Sequence, residues 1–183
     1  MPLATADNMC RTANGFDING FGQLKDGRGN ICPVTIILPT LAMEAKEGVE
    51  GEEAAVEAFM KLLDKKIHEA KDMLTERYAF ICSQSPASAQ FMYENHTMAG
   101  FDGVSIESAM KHGTLAIGQL GLAETLQLLI GCNHTTEKGM ALAKRIEGLF
   151  QKRCAEFKEK YKLNIGVYFS PEHNGYCLRG LVA

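Results

Sequence analysis

No stretch of the 183 residues approaches the roughly 20 consecutive apolar residues that a membrane-spanning helix needs. The first residues lack a basic start followed by an apolar core, so neither insertion nor secretion is expected and the chain reads as cytoplasmic. There is no excess of positive charge either: 19 Lys and Arg stand against 22 Asp and Glu, a net charge of −3. A broad nucleic-acid interface is thereby disfavoured, although single nucleotides remain possible ligands. Cysteines are few and scattered. The six, Cys10, Cys32, Cys82, Cys132, Cys154 and Cys177, form no CxxC pair, and without a secretion signal they read as reduced thiols. Cys82, Cys132 and Cys154 fit small hydrophobic positions. Cys132 and His134 with the distant Cys154 match no common structural-zinc spacing, so no metal is expected on this chain.

What remains is ordinary globular material, 46% hydrophobic and 22% charged, enough for one domain with a sizeable core. Residues 1–30 are rich in Gly, Asn and Asp and read as a long loop or hairpin. Ile31 to Leu38 is an apolar, β-rich run and predicts a strand, with Pro33 tolerable near its start. Residues 46–53 read as a polar connection. From Glu52 to about Ser83, Val56, Phe59, Met60, Leu63, Ile67, Ala70 and Leu74 recur every three to four residues, which predicts a long amphipathic helix. Pro86 stops it or restarts a shorter helix through Tyr93. Ser105 suits the N-cap of a short helix through Lys111, and Gly121 to Ile130 reads as an apolar helix closed by Gly131. Thr135 or Thr136 caps a further helix with Leu142, Ile146, Leu149, Phe150, Phe157 and Tyr161 on its inner stripe. Leu163 to Phe169 is a second strand candidate. Strands separated by long helical stretches imply parallel pairing and an α/β fold. Two strands do not complete such a domain, so either strands escape detection or the chain is incomplete.

Three stretches carry residues with chemical potential. Cys10 beside Arg11 is a loop thiol next to a cation, which favours the thiolate, though a loop cysteine without a role fits equally well. Gly27-Arg28-Gly29-Asn30 reads as a turn entering a strand, its glycines permitting conformations that side chains forbid. His112, after a helix, suits a capping position better than a catalytic base.

Taken in order, Cys10-Arg11-Thr12, GRGN at 27–30, VTIILPTLAME at 34–44, QFMYEN at 90–95 and KHGTLAIGQLGLAETL at 111–126 resemble the anaerobic (class III) ribonucleoside-triphosphate reductases. The likeness runs from Cys10 to about Pro171. It implies part of a ten-stranded α/β barrel with a finger loop, the glycyl-radical enzyme fold. Residues 1–30 would be the finger loop with its radical cysteine, 31–171 a partial barrel, and 172–183 a divergent tail. In that family the finger-loop cysteine becomes a transient thiyl radical that abstracts the ribose 3′-hydrogen, and the match puts Cys10 there. The thiol is then expected protonated and shielded from water, since an exposed thiyl is quenched. Thr12 matches a hydroxyl residue near the ribose. Asn30 matches an asparagine that binds the ribose hydroxyls, a task suited to an amide that both donates and accepts. Ser170, Pro171 and Glu172 resemble a stretch that receives substrate phosphates at a helix N-terminus.

The likeness also implies what must come from elsewhere. A glycyl radical, generated by an S-adenosylmethionine iron-sulfur activase, would be supplied by a segment not in this sequence, because Gly175-Tyr176-Cys177 has the wrong order for the family's radical motif. A nucleotide-sensing region, a second active-site cysteine and a four-cysteine zinc site are absent as well. The expected partners are a ribonucleoside triphosphate, the remaining reductase segments and the activase, with a homodimer when complete. Turnover by this chain alone is not expected. A non-catalytic interaction module derived from the same fold is the alternative, because helix faces left uncovered by a partial barrel favour self-association. A related glycyl-radical lyase fits less well, since GRGN and HGTLAIGQLGLAE look like the reductase branch.

Overall fold

A computed structural model of the chain describes residues 14–31, 33–95 and 97–169. Its centre is a three-stranded parallel sheet in the order β1 (Val34–Ile37), β2 (Thr114–Leu120), β3 (Asn164–Phe169). Val34 pairs with Ile117, and Leu115 with Ile165. Between β1 and β2 run α1 (Leu38–Lys46), α2 (Glu52–Cys82), a 3-10 turn at Pro86–Ala89, α3 (Gln90–Glu94) and α4 (Ile106–Met110). Between β2 and β3 run α5 (Leu122–Ile130) and α6 (Glu137–Tyr161). The α/β class with parallel strands therefore holds, and the long crossovers are what parallel pairing requires.

Alternation along the strands divides the sheet into two faces. Ile36, Leu115, Ile117 and Ile165 are buried in one core with Phe59, Leu63, Ile67 and Leu74 of α2 and Ile146 and Phe150 of α6. The opposite face carries Thr35, Ile37, Ala116, Gly118 and Gly166, most of them small; Ile37 is 54% exposed. The helical stripes arise as their spacing predicts. Glu52 and Glu53 in the first turn of α2 favour its positive N-terminal end. Thr136 caps α6 by accepting the Gly139 N–H at 3.0 Å.

Three expectations need correction. The strand predicted from Ile31 to Leu38 is shorter, and from Leu38 the chain is already helical; Pro39 sits in the first turn, where its missing N–H costs nothing. β2 was not anticipated: Thr114–Leu120 is almost wholly buried, lacks polar alternation and merges in sequence with α5. Tyr161 lies at the solvent-exposed end of α6 rather than in its inner stripe, packing edge-on to Phe157. Of the described cysteines, Cys154 is buried, its thiol pushed up to about 12 by desolvation, while Cys82 and Cys132 are half-buried; all three are free.

Candidate functional site: a loop clamped to the sheet's leading edge

Asn30 is the one sequence-predicted site residue within the described chain. Cys10, Thr12, Ser170, Pro171 and Glu172 lie outside it. Asn30 forms a parallel bridge with Thr114, made by the Thr114 N–H donating to the Gly29 carbonyl at 2.9 Å and the Ile31 N–H donating to the Thr114 carbonyl at 2.7 Å. Thr114 in turn pairs with Asn164, so Asn30, Thr114 and Asn164 form one row across the leading edge of the sheet.

Behind this row lies a buried polar cluster that the sequence did not reveal. Asp17 is 2% exposed and saturated with donors. Its Oδ1 accepts from Asn164 Nδ2 and from the Asn19 N–H, each at 2.8 Å. Its Oδ2 accepts from His112 Nδ1 at 2.8 Å and from the Phe21 N–H at 3.0 Å. Burial alone would raise the Asp17 pKa, but the hydrogen bonds from Asn164, Asn19, His112 and Phe21 together outweigh it and hold the carboxyl well below its usual range. An ionised Asp17 can only accept, so the proton at His112 Nδ1 is fixed in place. His112 is packed against Phe21 with ring centroids 4.2 Å apart, and its own carbonyl accepts from Arg28 Nε at 2.7 Å. It is thus a buried anchor, neither a helix cap nor a base open to substrate.

Arg28, the arginine of GRGN, is a brace. Its guanidinium meets three carbonyls: His112, Leu24 at 2.5 Å and Gly15 at 2.9 Å. Gly27 before it has φ +69°, and a Cβ there would lie 2.8 Å from the Ala99 backbone nitrogen, so this corner accepts only glycine. The Asn14 amide closes the loop on itself, donating to the Arg28 carbonyl at 3.1 Å. The Gly15 N–H donates to Thr114 Oγ1 at 3.1 Å. Ile18 N–H donates to Asn164 Oδ1 at 2.9 Å, and Asn19 Nδ2 to the Lys111 carbonyl at 2.8 Å.

The arrangement is a scaffold. Loop 14–31 is fastened to Lys111–Thr114 and to Asn164 near both ends, through Gly15, Asp17, Ile18 and Asn19 on one arm and Arg28, Gly29 and Ile31 on the other. GRGN and KHGT were legible as motifs, but Asp17 and Asn164 were not: an aspartate among Asn and Gly reads as an exposed turn. Among the described residues no group of three or more His, Cys, Asp or Glu side chains is placed to hold a metal ion. No described helix is long and apolar enough to cross a membrane.

Comparison with known proteins gives a consistent result. A family model described as anaerobic ribonucleoside-triphosphate reductase matches residues 3–176. The chain is 29% identical over 180 residues to the anaerobic ribonucleoside-triphosphate reductase of Escherichia coli (strain K12), covering 90% of this chain and 23% of that protein. It is 28% identical to the protein of the same name from Salmonella typhimurium, with the same coverage. The chain thus spans about a quarter of the length of the curated relatives it matches. Among solved structures, an anaerobic ribonucleotide reductase superposes with a TM-score of 0.59 at 16% identity, over 88% of this chain and 24% of that one. The Thermotoga maritima anaerobic ribonucleotide reductase, with dATP bound in its specificity site, gives 0.59 at 16% identity, over 86% and 25%.

Proposed function

Since the chain belongs to the anaerobic ribonucleoside-triphosphate reductase family, we propose that it acts as part of such an enzyme, converting ribonucleoside triphosphates to deoxyribonucleotides in the cytoplasm. Its three parallel strands are read as a sector of a ten-stranded barrel, with residues 1–30 as the finger loop, 31–171 as the barrel sector and 172–183 as a tail. The observation that carries this reading is the extent of the family match: residues 3–176 include all six candidates, Cys10, Thr12, Asn30, Ser170, Pro171 and Glu172. The geometry at Asn30 is in keeping with it. Asn30 joins the sheet at its edge, next to a strand face turned away from the helices that carries the small residues Ala116, Gly118 and Gly166.

In this reading Cys10 is the reacting group. Its thiol gives up a hydrogen atom, and the resulting sulfur radical takes the ribose 3′-hydrogen; two electrons and two protons from an external reductant, formate or a thiol protein, then convert the C2′ hydroxyl to C2′–H and water, and the hydrogen returns to C3′. A glycyl radical on another segment, formed by an S-adenosylmethionine iron-sulfur activase, supplies the hydrogen-atom acceptor when present. Asn30 and Thr12 hold the ribose hydroxyls, where an amide's paired donor and acceptor suit vicinal oxygens. Ser170, Pro171 and Glu172 form the stretch that receives the phosphates at a helix start, with the backbone N–H groups of Ser170 and Glu172 as donors, since Pro171 has none. Water exclusion is the remaining task of the surrounding chain.

Co-expression with the remaining reductase segments and the activase tests the proposal. Deoxyribonucleotide should form under anaerobic conditions, and Cys10→Ser should abolish it. Turnover that survives the serine substitution contradicts the assignment.

A further inference from the structure

Helix α6 meets the sheet through a polar contact set in an apolar core. Gln119, near the end of β2, is fully buried, and Glu147, in the middle of α6, is 2% exposed. Gln119 Nε2 donates to Glu147 Oε1. The remaining oxygens, Gln119 Oε1 and Glu147 Oε2, are buried without a hydrogen-bond partner. A carboxylate only accepts, so a proton on Glu147 is what adds a donor to the pair.

No cation compensates a negative charge at this point. β2 and β3 carry no charged residue, and Glu124 of α5 is exposed. On α2, Glu52, Glu57 and Asp64 face α6 but are paired with Lys138, Arg145 and Arg153. The Lys71 ammonium is held by Asp72 and Tyr161, and His68 packs on Phe157 further along α6. On α6 itself Lys144 and Arg145 are exposed, and the half-buried Cys132 and His134 precede the helix. Among the described residues, the hydrogen-bond partner of Glu147 is Gln119 alone.

The helix has a soft point beside this carboxyl. Gly148 is helical and exposed, and a Cβ there would meet no heavy atom within 4 Å, so no close approach requires glycine. A glycine inside a helix weakens it about fivefold relative to alanine. We propose that Glu147 and Gln119 form a proton-held latch: with the carboxyl protonated α6 stays seated on the sheet, and when the proton passes to solvent the helix lifts locally about Gly148.

Desolvation sets the range in which the latch works. Burial pushes the Glu147 carboxyl up to about 7, against a smaller lowering by Gln119, whereas in the lifted helix the group regains water and its ordinary value of 4.5. Between these values the lifted form is ionised and the seated form protonated. Lifting therefore becomes more favourable as pH rises from 4.5 and gains nothing further above about 7.

Residue-resolved amide hydrogen exchange on the full chain, expressed as protection factors across this pH range, tests the latch. Protection of the amides at 147–152 should fall by about tenfold per pH unit above 5 and level off above about 7. The Asn19 and Phe21 amides, bound to the Asp17 carboxylate, should keep theirs. Glu147→Gln supplies a permanent donor and should abolish the slope. Gly148→Ala should raise protection at the same amides about fivefold at every pH and leave the slope in place. A flat profile in the parent chain overturns the proposal. So does a fall shared equally by all amides, which is a loss of global stability without local lifting, and so does Gly148→Ala without effect. Should Glu147→Gln fail to fold, the parent profile and Gly148→Ala decide by themselves. The latch does not depend on the reductase reading, whose failure would appear only in the deoxyribonucleotide assay.

Discussion

The Asp17 carboxylate and the His112 ring meet at 2.8 Å inside the protein, 95 positions apart in sequence, and their contact ties a glycine-rich loop to the turn that opens the central strand. Removing one partner leaves the other buried without compensation. Asp17→Ala should therefore lower stability by about 3 kcal/mol, the usual cost of breaking a buried pair, seen as a reduced denaturation midpoint with little change in slope. A surface-like change under 0.5 kcal/mol would show that the contact is not maintained.

The acid limb of stability follows from the same residue. The folded pKa of Asp17 lies below its unfolded value near 3.8, so its contribution is present above that pH and lost as pH falls through the folded value. Asp17→Asn should flatten the acid limb of a stability-against-pH curve. An unchanged limb would assign acid sensitivity to other carboxylates.

Glu147 works in the opposite direction. It is buried against Gln119 between α6 and β2, and desolvation pushes its carboxyl up to about 7, against a smaller lowering by the Gln119 hydrogen bond. Gln119 Oε1 and Glu147 Oε2 are buried and without a hydrogen-bond partner, so a retained proton on Glu147 provides the donor the pair lacks. The stabilisation is fully present below about 4.5 and lost as pH rises through about 7. Glu147→Gln should raise the melting temperature at pH 8 and remove this decline. A lower melting temperature at pH 8 would mean that the ionised carboxylate is needed.

These groups show where sequence reading succeeds and stops. The stripes of α2 and α6 are legible because one face of each is wet, and period 3.6 survives in the composition. β2 is illegible for the converse reason: Leu115 and Ile117 face the helices while Thr114, Ala116 and Gly118 are buried on the other side, so no polar beat marks the strand. α1 escapes because β-branched residues run straight into it and its start has no side-chain cap. In the site, motif order identified GRGN and KHGT. The partners that fasten them, Asp17 and Asn164, are distant in sequence and look like turn residues, so only the fold brings them together.

Gly27→Ala tests the GRGN corner. The substitution imposes a Cβ at φ +69° within 3.0 Å of two backbone atoms, Ala99 N and Thr97 O. Left-handed strain alone costs about 1 to 2 kcal/mol, and the backbone contact adds to it. Calorimetry should show a melting temperature lower by several degrees, about 2 to 4 °C per kcal/mol at this size. No loss would mean that the corner opens freely.

We propose that Cys10 and Asn30 face one ribose. An experimental structure of this chain assembled with the remaining reductase segments and a ribonucleoside triphosphate measures that directly. The account predicts the Cys10 sulfur against the ribose C3′ and the Asn30 amide on the ribose hydroxyls, with the Thr114 contact to Gly15 intact. A Cys10 sulfur on the outer surface, with Asn30 remote from the sugar, would contradict it.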